Sequence, residues 1–425
     1  MKQVSIIGGG IAGMATAWYL QQERDDLNIT LYEKTDRLGG KITTDRIGEL
    51  ILEGAPESLL TEKQSGIDLC HELGIADQLN PSNDDQRSFS ILINGKLTPF
   101  PQGHRLFIPL SEQAIDDNPL LSTAGKQRAK DECHIPPRLD NEDESLSDFV
   151  TRRFGAEVMR NMAAPLIAGI FGGDPTRLSI LSTMPRMRTL EQKHGSLTQA
   201  FSQMPPRSRT STFTSLKTGM AQLIETLEKQ LTCTIVKNAK LQNINDLESD
   251  HVIIAIPAYA AAKLLEATHP TQSELLKTWR YTSSGTLSMV YCRDEINVPP
   301  GFGFMTPDFE SCDILGCTWT CNKFNHRAPD DQWIARVFFG DPLPDESSML
   351  THAKRELERL VGIEAEPILH RAYCWPNANP QYDIGHIQRM KALRKDCDLT
   401  FTGSSYDGFS ISDCITHAKE IPELL

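Results

Sequence analysis

The sequence predicts an α/β fold that combines a doubly wound parallel sheet, a second, mixed sheet and a helical insert. Three observations support this fold class. Residues 3–7 form a short apolar strand pattern, and residues 14–20 repeat their apolar side chains with the period of a helix. Residues 281–340 carry β-branched and aromatic runs, as a mostly antiparallel sheet does. Residues 106–203 have a helical pattern with proline and glycine breaks.

Length and charge exclude several classes of protein. The chain has 425 residues and a formal net charge of −13, which indicates two or three domains and no attraction to the phosphates of nucleic acid. Its longest apolar run, 252–265, contains Pro257 and Lys263 and is shorter than the roughly 20 residues of a membrane span. We therefore expect no transmembrane segment and at most peripheral membrane contact. No signal peptide is recognisable, so we expect a cytoplasmic protein with reduced cysteines.

The opening strand runs into a glycine-rich turn that is typical of a dinucleotide site. Gly8 allows the tight turn, Gly10 lets a pyrophosphate approach the backbone, and Gly13 lets the following helix pack closely on the strand. A second strand pattern at 28–32 ends in Glu33, where a carboxylate can accept hydrogen bonds from a ribose diol. This order of strand, glycine turn, helix and acidic strand end predicts a bound dinucleotide.

A second glycine motif favours FAD over NAD. Arg37, Gly39 and Gly40 follow Glu33 closely, and Lys41 comes next. A strand-end acid followed by an Arg-x-Gly-Gly turn resembles the second glycine motif of the glutathione-reductase-like flavoproteins of the amine oxidase type. That resemblance implies a Rossmann-like domain that holds FAD permanently.

The C-terminal region carries another strand, turn and helix. A buried strand pattern at 398–402 is followed by a small-residue turn at 403–408 and by a helix predicted to start near Ser412 and Asp413. We interpret Asp413 as a helix cap rather than a catalytic group. In the amine oxidase type, such a segment returns to the first domain and places its helix N-terminus near the flavin.

The predicted cofactor domain is discontinuous. Residues 252–257 look like the last parallel strand before the chain enters a second sheet. We predict an FAD-binding domain from residues 1–85, 208–258 and 384–425, a substrate-binding sheet domain from residues 86–104 and 259–383, and a helical insert from residues 105–207.

Longer segments resemble one family within this group. The chain is similar, nearly end to end, to the bacterial oxygen-dependent protoporphyrinogen and coproporphyrinogen III oxidases, and most similar to their Gram-positive branch. The segments that carry the resemblance are 8–13, 37–41, 56–58, 165–174, 191–194, 317–320, 380–382, 385–386 and 413–415. The runs at 165–174 and 380–386 are the most specific, because the first two occur in many flavoproteins.

The resemblance implies an FAD-dependent porphyrinogen oxidase of haem biosynthesis. Such an enzyme removes six electrons from coproporphyrinogen III to give coproporphyrin III, with O2 as acceptor and hydrogen peroxide as product. Protoporphyrinogen IX is the alternative substrate. The flavin carries the chemistry, so no catalytic side chain and no metal are implied, and a chelatase is a candidate downstream partner. Rival interpretations are a binding protein that has lost the cofactor and an amine oxidase or carotenoid desaturase on the same scaffold.

The matched positions supply the candidate site residues. Lys63 is expected near the substrate propionates, and Gly169 and Ile170 are expected beside the tetrapyrrole ring. A solvated surface lysine is the alternative interpretation of Lys63. The residues predicted to bind the cofactor are Gly8, Gly10, Gly13, Glu33, Lys34, Arg37, Gly39, Gly40, Lys41, Ala55, Pro56, Glu57, Ser58, Gly403, Ser410 and Ile411.

Some positions differ from the family's pattern. Ala55 replaces the glycine before the proline of the family's Gly-Pro-Asp-Ser turn. The family's Gly-Val-Gly-Ile-Pro-Asp run corresponds to residues 408–413, where Ser410 and Ser412 replace a glycine and a proline. Ser410 adds a Cβ where we expect the backbone to approach the flavin. The connection at 238–250 is also shorter than in relatives. These differences predict a weaker affinity for FAD.

Overall fold

The computed structural model describes residues 1–204, 211–341 and 343–425. In chain order, the strands of these residues are β1 Lys2–Ile7, β2 Leu27–Tyr32, β3 Thr44–Ile47, β4 Leu50–Glu53, β5 Leu59–Leu60, β6 Leu79–Pro81, β7 Ser90–Ile93, β8 Lys96–Pro99, β9 His104–Arg105, β10 Ile108–Pro109, β11 Phe213–Leu216, β12 Thr234–Val236, β13 His251–Ile254, β14 Tyr281–Cys292, β15 Gly303–Met305, β16 Gly316–Trp319, β17 Gln332–Phe339, β18 Leu369–Pro380 and β19 Leu399–Phe401. The helices are α1 Ile11–Glu23, α2 Ser65–Glu72, α3 Glu112–Asp116, α4 Thr123–Lys130, α5 Leu146–Phe154, α6 Ala156–Val158, α7 Ala164–Phe171, α8 Ile180–Thr183, α9 Pro185–His194, α10 Leu197–Ser202, α11 Ala221–Gln230, α12 Ala258–Leu265, α13 Pro270–Leu276, α14 Thr320–Lys323, α15 Glu346–Val361, α16 His386–Arg394 and α17 Ile411–Glu420.

A five-stranded parallel sheet stands at the centre of the cofactor half. Its strand order is β12-β2-β1-β13-β19, and every neighbouring pair is parallel. The strands come from both ends and from the middle of the chain. Because the carboxyl ends of parallel strands share one edge, the turns after β1, β2, β13 and β19 lie at the same edge of the sheet.

Both faces of this sheet are covered by helices, as a doubly wound fold requires. Side chains alternate along β1, so that Val4 and Ile6 pack in one core cluster with α1, α11 and α17. Ile7 belongs to the opposite cluster, which contains residues of α12, α13 and α16. The predicted doubly wound α/β fold is confirmed.

The second sheet has seven strands in the order β18-β14-β17-β16-β15-β7-β8. The pair β15 and β7 is parallel, whereas the other neighbouring pairs are antiparallel. Helix α15 covers one face through Met349, Ala353 and Leu357. The predicted mixed sheet is therefore present, and its long strands β14 and β18 reach the edge of the cofactor half.

Helices α3 to α10 form the third layer, between β10 and β11 in the chain. Phe149, Phe154 and Met162 lie at the centre of their core, which also receives Ile91 from the mixed sheet and Ile108 from β10. The boundary predicted between residues 207 and 208 lies outside the described residues. The division of the chain into three domains stays a prediction.

Candidate functional site

The turn between β1 and α1 leaves room for an anion. Gly8 has φ +116°, and a Cβ on Gly13 would lie 2.0 Å from the carbonyl oxygen of Gly8. A Cβ on Gly10, in contrast, would meet no atom within 4 Å. Among the described residues, no side chain caps the N-terminus of α1. The first amide groups of this helix are therefore free to face a phosphate.

Glu33 and the second glycine turn adjoin this helix end. Glu33 is buried, and its carboxylate accepts hydrogen bonds from the amide of Gly9 at 2.9 Å and the amide of Thr35 at 2.8 Å. The amide of Gly39 donates to the carbonyl of Gly9 at 2.7 Å. Gly39 and Gly40 have φ angles of +96° and +57°, which favour glycine. The two predicted glycine motifs thus form one continuous backbone surface.

The cations of the second motif are turned toward the protein. The Arg37 guanidinium donates to the carbonyls of Leu38 and Ile42 at 3.0 Å and to that of Gly40 at 2.5 Å, and so holds the turn closed. The Lys41 ammonium donates to a carbonyl of the mixed sheet, that of Ala378, at 2.5 Å. Burial lowers the pKa of Lys41. Lys34, also predicted to bind the cofactor, is exposed.

Side chains of the mixed sheet fix the loop at 54–58. The carbonyl of Gly54 accepts hydrogen bonds from Thr286 Oγ1 and Trp375 Nε1, each at 3.0 Å. The carbonyl of Ala55 accepts one from Arg336 Nη2 at 2.5 Å. Sequence reasoning missed these donors, although an arginine inside the apolar strand pattern of β17 was a visible signal. Pro56 and Ser58 lie half-buried in the same loop.

Glu57 forms an ion pair with Lys323. Its carboxylate lies 2.9 Å from the Lys323 ammonium, and both side chains are largely buried. Burial alone would raise the pKa of Glu57, but the charges of Lys323, Arg336 and Arg327 outweigh it and bring the pKa to about 2. The side chain is therefore an anion that stabilises the loop, and the carbonyl of Glu57 accepts a hydrogen bond from Ser215 Oγ at 2.6 Å. The predicted cofactor contact of Glu57 stays a prediction.

The turn after β19 lies against the N-terminal glycine motif. Gly403 has φ +105°, and a Cβ there would lie 3.1 Å from the Cβ of Ala12. Helix α17 then packs in the same core cluster as α1, through Ile415 and Ala418. The two chain segments predicted to enclose the cofactor are thus in contact.

Three aromatic side chains hold the following turn. Tyr382 Oη donates to the carbonyl of Ser404 at 2.9 Å, and Trp279 Nε1 donates to that of Ser405 at 2.8 Å. His386 Nε2 bonds the next carbonyl, that of Tyr406, at 2.9 Å. The rings of Tyr382 and His386 are stacked with their centroids 4.0 Å apart. The run at 380–386, which carried the resemblance, therefore positions the turn that leads to α17.

Ser410 is the N-cap of α17 and not a strained residue. Its φ is −85°, and its hydroxyl accepts a hydrogen bond from the Asp413 amide while the Asp413 carboxylate accepts one from the Ser410 amide. This is a capping box, which Ser and Asp form well. The replacement of glycine by serine at 410 is thus compatible with the local backbone, and the helix begins at Ile411.

Lys63 lies at this same helix end, paired with Asp413. Its ammonium is 2.7 Å from both carboxylate oxygens and 3.4 Å from Ser410 Oγ. Burial of Asp413 would raise its pKa, but Lys63 and Ser410 together hold the pKa below its ordinary value. The lysine predicted to bind substrate propionates already has an anionic partner, although 44% of its side chain is exposed.

The predicted substrate residues lie on the exposed side of α7. Gly169 is exposed, and Ile170 exposes 42% of its surface although it is apolar. The next residue, Phe171, contacts Phe409 of the C-terminal segment edge-to-face, with ring centroids 5.5 Å apart. A Cβ on Gly169 would lie 3.4 Å from Met305 Cε. Helix α7 therefore contacts the segment leading to α17. We call the exposed side of this helix, at Gly169 and Ile170, the α7 wall.

Taken together, these residues fit a dinucleotide. The open space at Gly10, the uncapped start of α1 and the carboxylate of Glu33 supply the contacts for a pyrophosphate and a ribose. Within residues 1–204, 211–341 and 343–425, no helix is long and apolar enough to cross a membrane. In the same residues, no group of three His, Cys, Asp or Glu side chains could hold a metal ion. All ten cysteines are free thiols.

The chain is similar to known proteins over nearly its whole length. The family described as flavin containing amine oxidoreductase matches residues 11–421. The coproporphyrinogen III oxidase of Bacillus subtilis (strain 168) is 32% identical over 98% of this chain and 96% of its own length. The chloroplastic protoporphyrinogen oxidase of Nicotiana tabacum is 26% identical over 98% of this chain and 84% of its own length.

A solved structure extends the likeness to three dimensions. It is that of an Exiguobacterium sp. 255-15 protein provisionally named a protoporphyrinogen oxidase, with 29% identity, a TM-score of 0.89 and coverage of 100% of this chain and 98% of that one. The predicted relationship, the fold class and the FAD cofactor are thereby confirmed. The chain belongs to the flavin-containing amine oxidoreductase family, and its cofactor is FAD.

Proposed function

We propose that this protein is a coproporphyrinogen III oxidase of haem biosynthesis. One coproporphyrinogen III and three O2 would give one coproporphyrin III and three H2O2, in three two-electron steps. The Bacillus subtilis relative, a coproporphyrinogen III oxidase that matches 98% of this chain, supports the choice of substrate. The structural observation that carries the proposal is the contact of Phe171 with Phe409, which joins the α7 wall to the cofactor half.

When bound, FAD supplies the oxidant, because its flavin accepts a hydride from the substrate. The protein's part is binding and orientation. The start of α1 would hold the pyrophosphate beside Gly10, and Glu33 would accept hydrogen bonds from the ribose. Lys41 would lie beside the cofactor at the second glycine turn, held by its hydrogen bond to Ala378. Arg37 would act on the cofactor through the shape of that turn, which its guanidinium holds.

Helix α7 would supply the surface on which the tetrapyrrole lies. Gly169 has no side chain, so it would leave space beside the helix for a flat macrocycle. Ile170 would contact the ring with its exposed apolar side chain. Full burial of an exposed isoleucine side chain contributes about 1.5–3 kcal/mol, so covering the 42% of Ile170 that is exposed would contribute about 1 kcal/mol. Because the substrate carries four carboxylates, a negative charge at position 170 would oppose its binding.

Lys63 would contact a substrate propionate, and Asp413 would compete with that propionate for the lysine ammonium. Its pairing at 2.7 Å means that a propionate would share the ammonium rather than find it free. We expect K63M to raise KM for coproporphyrinogen III while leaving kcat within about twofold. A loss of flavin from K63M, with KM unchanged for the molecules that retain it, would assign the lysine to the α17 cap alone.

Anaerobic mixing tests the function directly. Coproporphyrinogen III added to the purified yellow protein should bleach the flavin absorbance within one turnover, and O2 should restore it with release of peroxide. Amines should cause no bleaching. If coproporphyrinogen III leaves the flavin oxidised while an amine bleaches it, the porphyrinogen assignment is wrong.

A matched pair of variants tests the substrate wall. Ile170 and Ile368 are both exposed isoleucines, at 42% and 52%, and Ile368 precedes β18 on the mixed sheet. I170E should raise KM for coproporphyrinogen III by at least about tenfold without loss of FAD, whereas I368E should leave KM unchanged. Equal effects of the two variants would remove α7 from the substrate site.

Protoporphyrinogen IX remains the second candidate substrate. The relatives from Nicotiana tabacum and Exiguobacterium favour it by their names. The bleaching rates of the two porphyrinogens, measured at equal concentration, decide between them. O2 as acceptor, a chelatase that takes up the product and a cytoplasmic location belong to the same proposal. Ten free thiols are consistent with a reducing compartment.

A further inference from the structure

A surface groove is lined by residues that have no proposed contact with the cofactor or the substrate. It lies between α16 and the region of α8 and the start of α9, and has a volume of about 740 Å³. Leu181, Ile387 and Met390 give it apolar walls. The groove is open to solvent rather than enclosed, so a ligand would lie along its surface.

The groove is positively charged in an acidic protein. Lys391 on α16 and Lys395, the residue that follows this helix, both line it and are both exposed. Within the described part of the chain, no carboxylate lies within ion-pair distance of either lysine. Arg394 also lines the groove, but it is paired with Asp407. Two cations therefore remain uncompensated on a chain whose net charge is −13, and they would attract an anion.

Two polar atoms of the lining lack partners. Ser182 Oγ and His386 Nδ1 are buried and, in the residues described, make no hydrogen bond. His386 is only 3% exposed, and its Nε2 is already bonded to the carbonyl of Tyr406. Buried polar atoms without partners are rare in native proteins. Ser182 and His386 are both lining residues. Because the two atoms are covered and His386 Nδ1 is the acceptor of its ring, only the Ser182 hydroxyl could donate to a carboxylate, after rotating toward the groove.

We propose that this groove is a second binding site, for an amphiphilic polycarboxylate such as the porphyrin product. Carboxylates would pair with Lys391 and Lys395, and the apolar body would lie on the walls. The choice of porphyrin as the ligand rests on the proposed function. The groove also touches the cofactor side indirectly, because Tyr382 and His386 line it and hold the turn at 404–406.

Counting bound porphyrin tests the proposal. FAD-loaded protein is dialysed to equilibrium against coproporphyrin III, and the bound porphyrin is measured per chain. We expect two sites in the wild type. In K391E/K395E we expect the second site to weaken by at least about tenfold, since two charge-assisted contacts become repulsive. Flavin content and peroxide-forming turnover of this variant should be unchanged.

K229E/K263E is the matched control, because Lys229 and Lys263 are exposed lysines on helices α11 and α12. It should retain two sites. Citrate, which has carboxylates but no apolar body, should fail to displace porphyrin from the groove. One site in the wild type, or two undisturbed sites in K391E/K395E, would overturn the proposal, and displacement by citrate would overturn its amphiphilic part. If coproporphyrinogen III fails to bleach the flavin, the proposed function fails, but the lysine-dependent site can still be counted.

Discussion

Replacing Ser410 by alanine tests whether the capping box of Ser410 and Asp413 stabilises the N-terminus of α17. The variant removes a hydroxyl that accepts from the Asp413 amide at 3.2 Å and donates to the Asp413 carboxylate at 2.8 Å. Loss of an N-cap serine costs about 1 kcal/mol, within a range of about 0.5–2 kcal/mol. The ion pair of Asp413 with Lys63 adds less than about 1 kcal/mol, since solvent screens this partly exposed pair.

We therefore expect S410A to lower the free energy of unfolding by about 1 kcal/mol, roughly a fivefold change in the unfolding equilibrium. S410G should cost only a few tenths of a kcal/mol, since glycine is tolerated at an N-cap. Urea unfolding at saturating FAD, followed by circular dichroism, measures both variants against the wild type. If S410G is as destabilising as S410A, the capping box is not what stabilises this helix end. If S410G instead binds FAD markedly more tightly than the wild type, the serine obstructs the cofactor after all.

Three further predictions concern the glycine turn and the ion pair of the loop at 54–58. G13A should be purified with little flavin absorbance, because its Cβ would lie 2.0 Å from the carbonyl oxygen of Gly8, which belongs to the backbone and cannot move aside. K323M should lower the free energy of unfolding by about 1.5–3 kcal/mol, since Glu57 loses a charge-assisted hydrogen bond while the charges of Arg336 and Arg327 still stabilise its carboxylate. A melting temperature equal to that of the wild type would contradict this. In the wild type, the pKa of Glu57 is lowered from 4.5 to about 2. Its stabilising contribution is therefore full above about pH 4.5 and is lost as the pH falls toward 2. In an acid titration of unfolding, this loss should be smaller in K323M, where only Arg336 and Arg327 still lower the pKa.

The cofactor half could be predicted from the sequence because its signals are local. A glycine at a turn, an acid at a strand end and an apolar strand pattern lie within a few residues of one another, and their spacing alone implies a parallel strand, a helix and a phosphate-facing turn. Gly10 and Gly13 are examples, and the structure gives each the surroundings that the motif implies. The contact of the two chain ends was also predicted, through the resemblance.

The contacts between segments that are distant in the chain could not be predicted. Lys63 and Asp413 are 350 residues apart, and no local pattern indicates that they form an ion pair. The same holds for Arg336, whose role at Ala55 depends on how the mixed sheet is placed against the loop. The residue type at 410 alone suggests crowding of the backbone, whereas the two hydrogen bonds that Ser410 forms with Asp413 identify it as a cap.

The order of strands in the parallel sheet constrains when the protein can first take up its cofactor during synthesis. Strand β1 lies between β2 and β13, so its second edge stays unpaired until residues 251–254 have left the ribosome. The segment from β19 to α17 is translated later still. A nascent chain thus displays its phosphate-facing turn long before the opposite side of the cleft exists. Stable flavin incorporation should consequently be a post-translational event, and in the interval the open strand edges would depend on chaperones to prevent intermolecular pairing.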